Sequence, residues 1–310
     1  MKVTVTGGAG FIGANLCRAL AERSDVDRIV VVDDLSSGSA ENLNGLDVDL
    51  QIGSFLEPDV IARAVAGSDA VVHLGARPSV PRSLADPVAS HEVNATGTLR
   101  VLEAARAQGH PLVIVASSSS VYGGNPVLPK HEGLSPMPLS PYAASKLAAE
   151  SYALAYQASF ELPVLPLRFF NVFGPLQRPG HAYAAAVPAF IWAALHDEPL
   201  RMYGDGKQSR DFTFVDSVTA VIADAATRGV TSTRPVNLAF GTRTDLLGLA
   251  AALEEVLGRT LAIEHAPPRA GDVRHSQADD RALRTLFPDI QPIDLHAGLR
   301  RTVAWMTSLG

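Results

Sequence analysis

The stretch Val3–Arg18 leaves this chain few options. Val3-Thr4-Val5-Thr6 is a short β-branched run suited to a strand. Gly7-Gly8-Ala9-Gly10-Phe11-Ile12-Gly13 follows with no spacer. From Ala14 to Arg23, Leu16, Ala19 and Leu20 recur at the spacing of one buried helix face. Gly8, Gly10 and Gly13 fit G-x-G-x-x-G, and Gly7, Gly10 and Gly13 fit G-x-x-G-x-x-G. Without Cβ atoms the backbone turns tightly and can approach a pyrophosphate. The helix N-terminus adds free N–H groups and partial positive charge. A glycine turn between strand and helix is common by itself, but here its usual second half is present. Asp33 ends the apolar run Arg28-Ile29-Val30-Val31-Val32, and a carboxylate there can hold both hydroxyls of an adenosine ribose. Asp34 adds negative charge, and no Lys or Arg follows until Arg63. A 2′-phosphate would be repelled, so the expected cofactor is NAD rather than NADP.

At 310 residues and 47% hydrophobic, the chain can bury a large core, and its length suits about two domains. A net charge of −6 without a Lys/Arg cluster argues against nucleic acid. Cys17 is the only cysteine and lies inside the first helix, so no disulfide forms within the chain, as in a reducing cytoplasm. The N-terminus enters a strand with no signal peptide, and charges interrupt every apolar run before membrane-spanning length. A cytoplasmic protein without membrane, nucleic-acid or metal partners is expected.

Further along, strand and helix patterns alternate. Leu46–Ile52 reads as a strand, Pro58–Val65 as a helix and Ala70–Leu74 as a buried strand in which His73 belongs to the core or bonds to backbone. Pro78–Pro87 reads as a proline-rich loop, Val88–Gln108 as one long helix carrying Asn94, and Pro111–Ala116 as a further apolar strand. Strands apolar throughout, alternating with helices, predict a parallel sheet covered on both faces, with ligands beyond its carboxyl edge.

Ser117-Ser118-Ser119-Ser120-Val121-Tyr122-Gly123 falls at that edge, where hydroxyls can sit over a nicotinamide. Ser140-Pro141 then opens a helix that places Tyr142 and Lys146 four residues apart on one face. A tyrosine hydroxyl, pKa about 10, is a poor base at neutral pH. A nearby ammonium, helped by a positive nicotinamide ring, favours the phenolate, so a lowered Tyr142 pKa is expected.

Together these features resemble the extended short-chain dehydrogenase/reductase superfamily, specifically its NAD-dependent epimerase/dehydratase family, with UDP-glucose and UDP-N-acetylglucosamine 4-epimerases as the nearest pattern. The residues that carry the resemblance are Gly7-x-x-Gly10-x-x-Gly13, Asp33, Ser118, Tyr142-x-x-x-Lys146 and Leu167-Arg168-Phe169-Phe170-Asn171-Val172-Phe173-Gly174-Pro175. The resemblance covers essentially the whole chain. It implies a Rossmann-type doubly wound parallel sheet over residues 1–170, with return segments near 212–240. A smaller mixed α/β domain over 171–310 would hold the nucleotide sugar. It implies Ser118, Tyr142 and Lys146 as catalytic residues. For NAD it implies Gly7, Gly10, Phe11, Ile12, Gly13, Asp33, Asp34, Ser54, Phe55, Leu74, Ala76, Asn94 and Phe169, together with Tyr142 and Lys146. For a UDP-sugar it implies Ser118, Ser119, Asn171, Arg178, Tyr203, Arg210, Phe212, Arg269, Asp272 and Ser276. Asn171, Arg210 and Arg269 would meet phosphate, Asp272 a ribose hydroxyl, and Tyr203 and Phe212 the uridine. A homodimer paired through the helices carrying Asn94 and Tyr142 is implied as well.

Which reaction follows C4 oxidation turns on the two residues after Ser118. Dehydratases of this family carry Asp-Glu there, and decarboxylases carry Glu at the second position. Ser119 and Ser120 do neither job at neutral pH. Epimerisation is therefore expected. Two local cues point to different sugars. Ser276 stands where glucose-only enzymes tend to carry tyrosine, which leaves room for a 2-acetamido group. Arg178 stands where glucuronate epimerases carry Arg, and it could equally be an exposed structural residue. A UDP-hexose 4-epimerase is the leading reading, with UDP-glucuronate 4-epimerase as its alternative. An NAD-dependent nucleotide-sugar dehydrogenase or reductase, and a non-catalytic NAD sensor, are readings from other classes.

Overall fold

A computed structural model describes residues 1–179, 185–267 and 274–309. The first half is a run of strand–helix units: β1 (Lys2–Thr6), α1 (Phe11–Ala21), β2 (Arg28–Asp33), β3 (Asp49–Ile52), α2 (Pro58–Val65) and β4 (Ala70–His73). Then come α3 (Val80–Ala85), α4 (Pro87–His91), α5 (Gly97–Ala107), β5 (Leu112–Ser118), α6 (Pro141–Phe160) and β6 (Val164–Phe169). The chain continues through β7 (Asn171–Phe173), α7 (Ala186–Leu195), β8 (Leu200–Tyr203), β9 (Ser209–Arg210), β10 (Phe212–Phe214), α8 (Val215–Arg228) and β11 (Val236–Leu238). It closes with β12 (Thr244–Asp245), α9 (Leu246–Leu257), β13 (Ile263–Ala266), α10 (Arg281–Leu286) and α11 (Leu295–Thr307).

Seven strands form one parallel sheet in the order β11-β6-β5-β4-β1-β2-β3. The order reverses at β1, between β2 and β4, which is where such sheets open a ligand crevice. The period-2 pattern explains why both faces are covered. Val3, Val5, Ile29, Val31, Ala70, Val72, Ile114, Leu165 and Leu167 face one core, with Leu16 and Leu20 of α1 and Val218, Val221 and Ile222 of α8. Their neighbours Val30, Val32, Val71, Val113, Val115 and Val164 face the other, with Ile61 of α2, Val101 and Leu102 of α5 and Ala153 of α6. This is the expected α/β, Rossmann-type doubly wound fold. A separate core lies among β7, β8, β10, α7, α9 and α11, built from Phe173, Phe190, Ile191, Met202, Phe214, Leu249, Leu253 and Leu299.

Local predictions fail in three places, and side-chain caps account for much of it. The Pro78–Pro87 segment is not a loop: α3 forms because Ser79 Oγ accepts the Arg82 N–H and Pro81 suits the first turn. Asp86 Oδ1 then accepts the Ala89 N–H and starts α4. The expected single helix Val88–Gln108 is α4 and α5 joined by a π-helical turn, Glu92–Thr96, which holds Asn94. The sequence pattern predicts a helix over Thr244–Leu257, but Thr244 is not helical: Thr244–Asp245 pairs with Ser209–Arg210, and Asp245 Oδ1 caps α9 through the Gly248 N–H.

Among the described residues no helix is long and apolar enough to cross a membrane, and no group of metal-ligating side chains is found.

Candidate active site

The glycine turn sits under the carboxyl edge of β1. Gly7 has φ +71°, and a Cβ on it would lie 2.7 Å from Gly75 N. A Cβ on Gly13 would lie 2.2 Å from the Gly7 carbonyl oxygen. Only glycines let this turn close against β4 and against itself. Helix α1 begins at Gly10 with no side-chain cap, so its first-turn N–H groups at Phe11, Ile12 and Gly13 meet no capping side chain. That is a ready anion site. Asp33, at the end of β2, accepts from the Ala9 N–H at 2.9 Å and the Leu35 N–H at 2.9 Å. Burial pushes its pKa up against those two bonds, with Asp34 adding to the rise. Asp34 is exposed and accepts from the Ser36 N–H. The loop after Asp33 closes over the turn, for Ser39 N–H and Asn42 Nδ2 both donate to Ala9 O.

Beneath this crevice His73 is core, as expected, although its partners are hydroxyls. Nδ1 meets Thr6 Oγ1 at 2.6 Å and Nε2 meets Thr98 Oγ1 at 3.1 Å. Burial, with Lys146 nearby, lowers its pKa to about 3, so it stays neutral. Ser54, Leu74 and Ala76 are half-buried. The Phe55 ring is buried edge-on to His73, 5.1 Å between centroids, and wedged between Gly75 and Gly97. Asn94 likewise faces inward. Its Oδ1 accepts the Arg77 N–H at 2.7 Å, and Nδ2 donates to Ser145 Oγ at 3.0 Å and to Arg77 O. It ties the loop after β4 to α6, and its amide is engaged by protein on both sides.

Ser118 ends β5, and Tyr142 and Lys146 lie on the first turns of α6, whose cap is Ser140 Oγ on the Ala143 N–H. Burial holds the Tyr142 pKa above its ordinary value, and the Ser118 hydroxyl draws it back. The expected lowering by Lys146 is not what the protein's own groups produce. Lys146 is itself buried, its Nζ donates to Ala116 O at 2.8 Å, and desolvation brings its pKa to about 8.

A buried ion pair lies one helical turn further along α6. Glu150 and Arg168 of β6 are 4% and 3% exposed, with Arg168 Nη2 on Oε1 at 2.6 Å and Nε on Oε2 at 2.9 Å. Ser117 Oγ donates to the same Oε2 at 2.7 Å, so the residue before Ser118 is tied to the helix of Tyr142 and Lys146. The Arg168 guanidinium stacks over the Tyr122 ring at 4.6 Å, and Tyr122 donates to Asn237 Oδ1 at 2.6 Å.

On the substrate side, Ser119 is half-buried, as are Phe169 and Asn171, the last donating its N–H to Asp211 O. Arg210 Nη1 donates to Ser209 O at 2.9 Å and to Arg274 O. Ser276 N–H donates to Ser209 O at 3.0 Å, so Ser276 and Arg210 share one edge. Tyr203 is half-buried at the end of β8, with Arg201 over its ring at 5.7 Å. The Phe212 ring is buried in the second core, edge-on to Phe173 at 6.4 Å. Arg178 is exposed and pairs with Glu41 at 3.7 Å. Arg269 and Asp272 lie outside the described residues.

The NAD dependent epimerase/dehydratase family model matches residues 3–239 of this chain. The chain belongs to that family. A UDP-glucose 4-epimerase of Mycolicibacterium smegmatis is 35% identical over 98% of this chain and 97% of its own length. The solved UDP-N-acetylglucosamine 4-epimerase of Methanobrevibacter ruminantium, in complex with UDP-N-acetylmuramic acid, superposes with a TM-score of 0.93 at 34% identity, over 100% of this chain and 99% of that one. The UDP-glucuronic acid 4-epimerase of Bacillus cereus, with UDP-glucuronic acid and NAD, gives 0.91 at 30% identity over 100% of both chains.

As an enzyme of the epimerase/dehydratase family the chain uses NAD, and its own residues fit that cofactor. The glycine cradle that any Cβ would fill, the uncapped start of α1 and the buried Asp33 carboxylate stand in one crevice. Three further groups belong to this site without having been expected there. Glu150 was findable, because it stands four residues after Lys146 on the same helix face. Arg168 lies inside the Leu167–Pro175 motif, but no neighbour in sequence suggests its partner. Asn42 gives no local signal, since its contact with Ala9 depends on how the loop folds back.

Proposed function

We propose that this chain is a UDP-sugar 4-epimerase whose substrates are UDP-glucose and UDP-galactose or their N-acetylhexosamine forms. The observation that carries the proposal is the convergence of Ser118, Tyr142 and Lys146 beside the glycine crevice, with Ser119 and Ser120 supplying no carboxyl group. Arg178 held at the surface by Glu41 favours a neutral C6 over a C6 carboxylate, and Ser276 beside Arg210 leaves room at the sugar.

Bound NAD would supply a reversible hydride acceptor for C4 of the sugar. Tyr142 takes the O4 proton and gives it back, and Ser118 holds the same oxygen by a hydrogen bond. Lys146 would supply a cation toward the cofactor and the phenol. The α1 N-terminus would hold the pyrophosphate, and Asp33 the adenosine ribose. Asn171 and Arg210 steady the diphosphate of the sugar nucleotide. Residues 1–170, with the return segment that supplies α8 and β11, form the NAD-binding domain, and the second core belongs to the sugar-nucleotide domain.

Proton NMR of the purified protein mixed separately with UDP-glucose, UDP-N-acetylglucosamine and UDP-glucuronate tests this. The expected result is an axial-C4 product from the first or second and none from the third. Product from the glucuronate alone would transfer the reading to a glucuronate epimerase. Net NADH formation without an epimer would transfer it to a dehydrogenase.

A homodimer through α4, α5 and α6 goes with this reading. Support comes from apolar and small residues left exposed there: Val88 at 76% and Tyr152 at 42%, with Ala144, Ser151 and Ala155 along α6. Light scattering is expected to give twice the chain mass of 32.7 kDa, and Tyr152→Glu to give the monomer.

A further inference from the structure

Ser118 has one proton and two lone pairs, and both lone pairs are in use. The Ser120 N–H donates to Ser118 Oγ at 3.2 Å, and the Ser120 hydroxyl donates to it at 2.9 Å. The Ser118 proton is the one valence left for the site, and that hydroxyl favours the ionised form of Tyr142. We propose that Ser120 is a positioning residue for the epimerisation, whose hydroxyl, by donating to Ser118, compels Ser118 to act only as a donor, its one proton shared between Tyr142 and the sugar O4. The proposal rests on the epimerase reading and deepens it.

Chemistry gives this direction its meaning. A hydroxyl that accepts a hydrogen bond becomes a better donor, since the bonds polarise one another. A donor aimed at Tyr142 favours the phenolate, the form that takes the O4 proton, over the phenol that burial favours. A carboxylate at position 120 has no proton to give at neutral pH and would compete for the proton of Ser118. Ser120 is therefore more than the absence of a dehydratase or decarboxylase acid. The backbone part of the arrangement, Ser118 capping the 3-10 turn Ser119–Tyr122, is an ordinary cap that survives side-chain substitution. Only the Ser120 hydroxyl separates the two roles, and the residue is half-buried.

The test compares Ser120→Ala and Ser120→Thr on the NAD-loaded enzyme, each alone and in a Ser118→Ala background. Ser120→Ala is expected to lower kcat about 3- to 10-fold, the loss one neutral hydrogen bond carries, with KM little changed. The acid limb of its pH profile is expected to move upward, and Ser120→Thr to restore both. In the Ser118→Ala background the same change is expected to cost nothing further, because Ser120 acts through Ser118. Wild-type kcat with an unmoved profile in Ser120→Ala, or an equal loss in both backgrounds, overturns the proposal. A second readout needs no turnover. Tyrosinate absorbance of the NAD-loaded protein, taken as a difference against Tyr142→Phe, reports Tyr142 ionisation directly and is expected to shift upward in pH in Ser120→Ala. A shift there with no sugar turned over would leave the hold of Ser120 on Tyr142 standing and refute the epimerase reading on which its catalytic role rests. No shift, in a protein that does epimerise, would do the reverse.

Discussion

Tyr142→Phe is expected to lower turnover of the UDP-sugar by roughly 10²- to 10⁴-fold, the range for a positioned general acid–base group. That corresponds to about 3–5 kcal/mol of lost transition-state stabilisation. NAD is expected to stay bound, since the glycine turn, the α1 N-terminus and Asp33 are untouched. The fold is expected to persist, because the α6 cap is Ser140 and the ring itself is retained. The pH profile gives a second check. The phenolate is the active base and burial raises the Tyr142 pKa, so wild-type activity rises with pH through that ionisation. In Tyr142→Phe this limb disappears. Steady-state kinetics with a measured NAD content settles the matter: near-normal turnover in the variant would remove Tyr142 from the chemistry.

Glu150→Ala is expected to destabilise the fold more than any other single substitution proposed for this site. It deletes one member of an ion pair that is 3% and 4% exposed and leaves the Arg168 guanidinium buried without its carboxylate. Breaking a pair of this kind costs about 3–5 kcal/mol, a large part of a typical domain stability of roughly 5–15 kcal/mol. Arg168 has no slack to absorb the loss, since its Nη1 already lacks a hydrogen-bond partner. Burial opposes its charge, and the Glu150 carboxylate, with Tyr122, raises its pKa against that burial. The paired change Glu150→Met with Arg168→Met is expected to recover much of the stability, because no uncompensated charge remains. Activity is not expected to return with it, for Ser117 Oγ then has no Oε2 to hold the serine segment against α6. Urea unfolding of wild type, Glu150→Ala and the double variant measures this, and Glu150→Ala unfolding at the wild-type midpoint would refute it.

The parts of the site that were legible in the sequence are those set by local pattern. The β1–glycine–α1 unit, Asp33 at the end of β2 and the Tyr142-x-x-x-Lys146 face each follow from residue type and spacing within one or two elements. The alternation of apolar strands with helices was enough for a parallel sheet covered on both faces. The departures were of two kinds. Caps turned an expected loop into α3 and moved the start of α9, because Ser79 and Asp245 accept N–H groups that composition alone does not reveal. The lowering of the Tyr142 pKa was expected from Lys146 together with a nicotinamide ring, whereas among the protein's own groups burial raises it.

The sequence by itself determined the fold class, the cofactor crevice and the identity of the reacting groups. Only the tertiary structure decided which partner each polar or aromatic side chain takes. Phe212 packs on Phe173, Phe55 fills the gap between Gly75 and Gly97, Asn94 bonds Ser145, and Arg178 pairs with Glu41. Glu150 meets Arg168 because α6 crosses β6, and it meets Ser117 because β5 lies beside β6 in the sheet. Periodicity encodes which face of an element is buried, and does so within a few residues. The choice of partner depends on strand order and on contacts between residues far apart in the chain, and no local pattern carries that information.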